Sequence, residues 1–225
     1  MKHNTSQNMA ANSPTSITPS GYFGNSESNI VEILDAVTEK EREILLSWAR
    51  SNKNFDETKD EYNENGNLIY QANIWKDRVV TIDTFEKYSP EIIPVLQEII
   101  SRMKKTIDSF FNVDCKPTGP CIVRWPVGTR QEPHADKEMH EGPDAGTPNS
   151  FPWYDIGTVF YLNDDYEGGE LYFPLQGIEF KPKPGAAYFF PGDKNYIHGV
   201  RPITSGVRYT APFFWTITEH KNNEN

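Results

Sequence analysis

Three residues have the types and spacing needed to bind a single metal ion. His134 and Asp136 stand two positions apart in Pro133-His134-Ala135-Asp136, and residues i and i+2 of an extended segment face the same side. His198 comes later in the chain, beside a predicted strand. Two neutral imidazoles and one carboxylate bind Fe(II) on one face and leave other coordination positions open. These residues are therefore the candidate metal ligands and the candidate catalytic centre.

A predicted strand after His198 contains a further candidate, Arg208, within Val207–Thr210. An arginine that points into a barrel needs an anionic partner, because an unpaired buried charge is very costly. A carboxylate of a small molecule would supply that partner through a bidentate pair. Simpler readings stay open at this point, since a His-x-Asp triplet can be a surface pair and Arg208 can face solvent. We expect His140 and His220 to face solvent.

The elements that would position these residues change in type near Pro120. Beyond it, short β-type runs alternate with Gly, Pro and Asn-Asp turns, which is typical of an all-β sandwich or barrel. The predicted strands are CIVRW, IGTVFYL, ELYFPL, IEFKP, AAYFF, IHGV and VRYTAPFFW. The sequence therefore places the candidate ligands on or beside strands of a jelly roll.

Helices are predicted before Pro120. A capping box at Thr38–Glu41 opens a helix over Glu39–Arg50, and Ser89-Pro90 begins a long amphipathic helix that runs to Phe110. Short strands are predicted near 30–34, 68–75 and 79–82. We expect residues 1–28 to form a disordered tail and residues 29–225 to form one domain, with helical support over 29–118 and a jelly-roll core over 119–218.

Composition limits the partners. The chain has 22 basic and 32 acidic residues, a net charge of −10, so nucleic acid is not an expected partner. No apolar run approaches the length that spans a bilayer, and the N-terminus has no secretory pattern. Cys115 and Cys121 read as two reduced thiols, although a local bridge between them is an alternative. We expect a cytoplasmic protein without a membrane partner, and the oligomeric state stays open.

Residues 120–215 resemble the prolyl 4-hydroxylase-like branch of the Fe(II)/2-oxoglutarate oxygenases. The pieces that carry the resemblance are VRWPVG, PHAD, TVFYLND, EGGELYFP, KPGAAYFFPG and IHGVRPITSGVRYTAPFFW, in the order of the family. The resemblance implies a mostly β fold with supporting α, a double-stranded β-helix (jelly roll) buttressed by N-terminal helices. It also implies Fe(II), 2-oxoglutarate as co-substrate and dioxygen, with ascorbate as a stimulant.

The same resemblance assigns roles to individual residues. His134, Asp136 and His198 would bind iron, while Arg208 and Tyr161 would bind the distal carboxylate of 2-oxoglutarate, with Thr210 as a weaker candidate. One departure is Trp125, since relatives often have a tyrosine there and an indole cannot accept a hydrogen bond. Trp125 is expected to form a wall of the co-substrate pocket or to touch the substrate. Arg124, Trp153 and Tyr154 are the candidate substrate-binding residues.

The resemblance implies hydroxylation of an unactivated C–H bond, with a prolyl residue of a peptide or protein as the first expectation. A free amino acid or another small molecule is the alternative substrate. A rival of another class is a non-catalytic, cupin-like jelly roll that binds a metal or a sugar. The segment Lys137–Tyr154 is long enough to be a lid over the site, and a passive surface insertion is its alternative reading.

Overall fold

Two antiparallel β-sheets form the centre of the protein. The computed structural model describes residues 16–52, 55, 61–62, 68–70, 75, 77–118 and 121–221. The major sheet follows the order β1-β12-β8-β14-β6-β4, and β5 and β9 also pair with β14. Its strands are β1 (Val31–Ile33), β4 (Val79–Val80), β5 (Val113–Pro117), β6 (Ile122–Pro126), β8 (Ile156–Tyr161), β9 (Tyr166–Gly168), β12 (Ala187–Pro191) and β14 (Ile203–His220).

The minor sheet follows the order β11-β10-β13-β7. Its strands are β7 (Gln131–His134), β10 (Leu171–Phe173), β11 (Ile178–Phe180) and β13 (His198–Val200). A separate hairpin pairs β2 (Glu61–Tyr62) with β3 (Leu68–Tyr70). Side chains of the two larger sheets meet in one apolar cluster that includes Tyr161, Tyr188 and Phe190 of the major sheet and Leu171 and Phe173 of the minor sheet. The predicted jelly roll is confirmed.

In the described part of the chain, three α-helices cover the outer face of the major sheet. They are α1 (Glu39–Ser51), α2 (Ile82–Tyr88) and α3 (Ile93–Phe111). The capping box predicted for α1 is present, since Thr38 accepts from the Glu41 amide and Glu41 accepts from the Thr38 amide. The second long helix begins with a 3₁₀ turn over Pro90–Ile92 and continues as α3, although the Ser89 side chain makes no cap hydrogen bond. Helix α2 was not predicted.

The long strand β14 shows how one sequence serves both faces of the major sheet. Successive side chains of a strand alternate between faces. Ala211, Phe213, Trp215 and Ile217 pack with α1 and α3 in the largest apolar cluster. The even-numbered residues of this strand, among them Arg208 and Thr210, therefore face the minor sheet. This alternation leaves the space between the sheets for the polar residues of the site.

The amino-terminal segment differs from the prediction. Residues 16–28 fall within the expected disordered tail, yet Thr18 is buried and its carbonyl accepts a hydrogen bond from the Lys137 ammonium (2.8 Å). A 3₁₀ turn follows at Glu27–Asn29. The polar composition of this segment predicted a tail. A sequence pattern does not reveal contacts with residues more than a hundred positions away, such as the one between Thr18 and Lys137. Residues 1–15 lie outside the described part.

Three further predictions concern the cysteines, the boundary of the β core and membrane-spanning segments. Cys115 and Cys121 are both free thiols, as the sequence favoured. Strand β5 belongs to the major sheet through its pairing with β14, so the predicted boundary at residue 118 cuts off a strand of the β core. No helix in the described residues is long and apolar enough to span a membrane.

Candidate active site

The three predicted metal ligands converge. One donor atom each from His134, Asp136 and His198 lies within 4.8 Å of the others. The Nε2 atoms of both histidines are 3.7 Å from Asp136 Oδ1. Strand pairing explains this arrangement, because His134 at the end of β7 is registered opposite His198 at the start of β13. The predicted convergence of these three side chains is confirmed.

Backbone carbonyls fix the orientation of both imidazoles. His134 Nδ1 lies 3.0 Å from the Glu132 carbonyl oxygen, and His198 Nδ1 lies 3.1 Å from that of Tyr196. A carbonyl oxygen only accepts hydrogen bonds, so each Nδ1 carries the proton and each Nε2 keeps a free lone pair. Burial lowers the pKa of both histidines, that of His198 well below its ordinary value. Neutral imidazoles with Nε2 pointing inward are suited to metal ligation.

The carboxylate of Asp136 is buried against Gly157, a residue of β8 that has no side chain. Its Oδ2 atom has no hydrogen-bond partner among the described residues, and burial raises its pKa to about 8. A Cβ on Gly157 would lie 2.6 Å from Oδ2, so a glycine is required at this position of β8. The Asp136 amide donates to the Gly192 carbonyl (2.9 Å). The structure thus holds a buried carboxylate in place and leaves one of its oxygen atoms unsatisfied.

A buried ion pair anchors the chain directly after Asp136. The Lys137 ammonium lies 2.5 Å from Asp155 Oδ1, and both side chains are buried. Asp155 Oδ2 accepts from the Ile217 amide (2.8 Å). Both charges therefore have partners, which a buried ion pair needs if it is not to destabilise the fold. The pair connects the metal-ligand segment to β14 and to the amino-terminal residue Thr18.

Arg208 lies between the sheets and is 1% exposed. Its Nη1 donates to the Gly169 carbonyl (2.6 Å), and its Nε has no partner among the described residues. None of the ion pairs among the described residues includes Arg208. Burial lowers its pKa, but a guanidinium stays charged in proteins. A buried cation without a carboxylate is the feature expected of a site that binds an anionic ligand.

Aromatic and hydroxyl groups surround this guanidinium. Its Cζ lies 4.3 Å from the centroid of Trp125 and 5.5 Å from that of Tyr161. The Trp125 indole N–H donates to Thr210 Oγ1 (3.0 Å), which leaves the Thr210 hydroxyl hydrogen for another acceptor. Burial raises the pKa of Tyr161 to about 12, so its hydroxyl remains a donor. The structure brings all four predicted co-substrate residues together.

Arg124 does not reach this group. It is registered opposite Tyr209, whereas Trp125 is registered opposite Arg208, so Arg124 and Trp125 face opposite sides of the major sheet. Arg124 Nε donates to the Asp77 carbonyl (2.6 Å). The structure therefore does not support a substrate-binding role for Arg124.

The aromatic residues of the predicted lid stack on one another. Tyr154 lies parallel to Phe214 with ring centroids 3.9 Å apart, and parallel to Phe151 with centroids 5.0 Å apart. Tyr154 therefore presents its ring to two protein partners rather than face-on to a substrate. Trp153 makes edge contacts with Phe151 and Tyr154, so the stack holds the segment beside the metal centre. Substrate contact by Trp153 and movement of the lid stay predictions.

Sequence reasoning missed two residues of the site. Gly157 interrupts an otherwise apolar strand, and a glycine inside a strand often marks a close approach; this signal was available. Gln131 lies at the other end of β7 from His134, and its amide nitrogen is 3.1 Å from His134 Nε2. No signal in the sequence identified Gln131, because strand alternation alone would place it on the opposite face from His134.

The donor set fits a divalent metal and a dicarboxylate. A metal would bind the Nε2 atoms of His134 and His198 and the Asp136 carboxylate, whose Oδ1 lies 3.7 Å from both nitrogens, and a carboxylate would pair with Arg208. The side chains of His134, Asp136 and His198 thus favour a cation, and the side chain of Arg208 favours an anion. Fe(II) and 2-oxoglutarate together meet both requirements.

The comparisons with known proteins agree with this geometry. Residues 122–216 match the family model of the 2OG-Fe(II) oxygenase superfamily. The chain is 32% identical over 75 residues to prolyl 3-hydroxylase 1 of Gallus gallus, covering 31% of this chain and 10% of that protein. It is 32% identical over 102 residues to a PKHD-type hydroxylase of Sphingopyxis alaskensis, covering 42% of this chain and 45% of that protein. The chain thus spans less than half the length of these relatives.

Solved structures share the fold. A Trichoplax adhaerens prolyl hydroxylase, in complex with a peptide fragment of the hypoxia inducible factor oxygen degradation domain, has a TM-score of 0.62 at 15% identity, covering 87% of this chain and 86% of that chain. The viral collagen prolyl hydroxylase of Paramecium Bursaria Chlorella virus-1 has a TM-score of 0.56 at 17% identity, covering 86% of this chain and 98% of that chain. Residues 122–216 thus match the 2OG-Fe(II) oxygenase superfamily, and the shared fold and the converging His134, Asp136 and His198 agree with that similarity.

Proposed function

We propose that this protein is an Fe(II)- and 2-oxoglutarate-dependent dioxygenase that hydroxylates a prolyl residue in a peptide or protein. The observation that carries the proposal is a pair of unsatisfied buried groups in one interior. Asp136 Oδ2 lies within the candidate metal ligands, and Arg208 Nε lies among the candidate co-substrate residues. A protein built only for stability would have paired or replaced both groups, because each costs free energy when it is left alone.

The residues of the chain position the reactants. His134, Asp136 and His198 would hold Fe(II), while Arg208, Tyr161 and Thr210 would donate hydrogen bonds to the far carboxylate of 2-oxoglutarate. When bound, these two groups supply the oxidation, in which 2-oxoglutarate and dioxygen give succinate, CO2 and one oxygen atom for the substrate. The apolar wall of Phe173 and Phe190, which contact the His198 ring, would keep water from the reacting atoms.

The peptidyl substrate is supported by the relatives, whose names include prolyl 3-hydroxylases and PKHD-type hydroxylases. A free amino acid is the second candidate, and it would need charged partners for its ammonium and carboxylate. A non-catalytic, cupin-like binder would have no use for a buried, unpaired Arg208. We also propose a cytoplasmic protein, which the two free thiols support.

Mass spectrometry tests the proposal. Blocked proline-containing peptides are incubated with the protein, Fe(II), ascorbate and 2-oxoglutarate under air, and succinate is measured in the same samples. The proposal predicts a gain of one oxygen atom on the peptide together with release of succinate. Oxidation of free amino acids but not of blocked peptides would favour the second candidate, and an absence of succinate would favour the binder.

A further inference from the structure

A β-bulge separates the two ends of β7. His134 is registered opposite His198, and Gln131 is registered opposite Val200, with a register shift between them. Three steps along β7 therefore match two steps along β13. Directly opposed residues share a face of a sheet, so Gln131, His134, His198 and Val200 all share one face. Bulges re-aim side chains in this way, and they are frequent beside active sites.

The bulge decides which polar residue reaches the metal centre. In a regular strand, residues 132 and 134 would share a face, so the carboxylate of Glu132 would lie beside His134. The structure instead leaves Glu132 exposed, paired with Arg130 (2.6 Å). The neutral amide of Gln131 takes the place next to His134. One extra residue in β7 thus replaces a second anion with a group that both donates and accepts hydrogen bonds.

The amide contacts the nitrogen atom that a metal would use. Gln131 Nε2 lies 3.1 Å from His134 Nε2. His134 is also the candidate ligand nearest to solvent, with a side chain 28% exposed, against 6% for Asp136 and 9% for His198. A bound metal would take the His134 lone pair, and the Gln131 amide would then be free to pair with a substrate at this solvent-accessible side of the centre.

We propose that Gln131 is a substrate-positioning residue that pairs with a backbone amide of the peptide beside the reacting residue. This inference rests on the proposed function. A primary amide complements a peptide bond, because its N–H donates to the peptide carbonyl and its oxygen accepts from the peptide N–H. It offers no charge to the ammonium or carboxylate of a free amino acid. The residue therefore favours an internal peptide segment over a free amino acid.

The test compares Gln131→Met with wild type. Methionine keeps an unbranched chain of similar length but has no amide. The peptide is the blocked proline peptide that the wild type oxidises best, used as the amide and with an ester in place of either the bond after the hydroxylated proline or the bond before the residue that precedes it. Gln176→Met is the matched control, since Gln176 donates to the Asn195 carbonyl outside the site (2.7 Å).

We expect Gln131→Met to raise the peptide KM about tenfold, a larger change than in the KM for 2-oxoglutarate. One of the two esters should raise KM in the wild type and in Gln176→Met but have no further effect in Gln131→Met. Zn(II) affinity, measured by tryptophan fluorescence of the metal-free protein, should stay equal or tighten, because a competing contact to His134 is lost. This readout does not depend on turnover.

Three results would overturn the inference. An unchanged peptide KM in Gln131→Met, or equal ester effects with and without Gln131, would show that the amide does not pair with the peptide. A loss of Zn(II) affinity greater than tenfold would show that Gln131 supports the ligands instead. If the wild type oxidises no blocked peptide, the proposed function itself fails, and that outcome is distinguished by the wild-type reaction alone.

Discussion

The two parts of the interior leave groups of opposite charge unsatisfied, whereas other charged side chains of the described chain form direct ion pairs. At the metal end the unsatisfied atom is Asp136 Oδ2, and at the co-substrate end it is Arg208 Nε. By contrast, buried Lys137 and Asp155 pair directly, and Arg102 forms a two-pronged ion pair with Glu41 on the helical side (2.7 and 2.8 Å). The contrast identifies the two ends as binding sites, because the fold can pair charges and does so where no ligand is needed.

The largest effect is expected from removing the charge at the metal end. Asp136→Gly should lose most hydroxylation, roughly a hundredfold or more, because a ligand and a negative charge disappear together. Excess Fe(II) should restore only part of the activity. The measurement is product mass at saturating Fe(II) and high chloride, where a halogenated product is possible in principle but disfavoured by substrate placement.

Near-wild-type hydroxylation by Asp136→Gly would contradict the assignment and require another carboxylate. The neighbouring candidates are Glu132 and Glu138, and both have other partners. Glu132 is exposed and paired with Arg130, and Glu138 accepts from the Lys194 amide (2.7 Å).

Removing the charge at the other end should have a smaller and separate effect. Arg208→Ala should weaken 2-oxoglutarate binding by about 2–5 kcal/mol, by analogy with buried charge pairs between proteins, and leave metal affinity largely intact. The measurements are the KM for 2-oxoglutarate and Zn(II) titration of the metal-free protein. If metal affinity falls in parallel, the two ends do not act independently.

A third change tests the space around Asp136 without removing a ligand. A Cβ on Gly157 would lie 2.6 Å from Asp136 Oδ2 and 3.0 Å from the Phe190 ring. Gly157→Ala should therefore displace the carboxylate and weaken metal binding about tenfold. The KM for 2-oxoglutarate at saturating metal should change less than it does in Arg208→Ala. Unchanged metal affinity would show that the carboxylate has room to move.

The smallest effect concerns pH in the metal-free protein. Burial raises the pKa of Asp136 to about 8, far above its value in an unfolded chain, so between pH 7 and 8 the unfolded state binds fewer protons at this residue. Stability should therefore fall as pH rises through that range. The two histidines contribute little there, because burial keeps them neutral in the folded state and an unfolded histidine, with a pKa of about 6.5, is mostly neutral above pH 7. Thermal unfolding should show the decline in wild type and a smaller one in Asp136→Asn.

Sequence reasoning located the site because its residues sit in regular strands with short-range patterns. The spacing of His134 and Asp136, the strand around Arg208 and the helical repeat over 93–111 depend on local geometry alone. The same alternation could have excluded Arg124, since adjacent residues of β6 cannot both face the pocket. Arg124 was predicted to contact the substrate and Trp125 to line the co-substrate pocket, although neighbouring residues of a strand face opposite sides of the sheet.

Other features of the site could be recognised only in the folded structure. The bulge that turns Gln131 inward depends on how β7 pairs with β13, and the stack of Tyr154 on Phe214 joins residues sixty positions apart. The contact between Lys137 and Thr18 joins residues still farther apart. Local patterns carry no information on such contacts, so the sequence predicted a disordered tail over 16–28 and did not predict the packing of Tyr154 on Phe214.

The central claim is that one metal ion and one 2-oxoglutarate molecule satisfy the two unpaired charges together. Anaerobic calorimetric titration of 2-oxoglutarate into the full chain, with and without Fe(II), tests this claim most directly. The account predicts one molecule bound per chain, with affinity at least about tenfold weaker without metal, because the metal contributes to binding of the co-substrate. No binding to the Fe(II)-loaded protein, or equal affinity with and without metal, would contradict it.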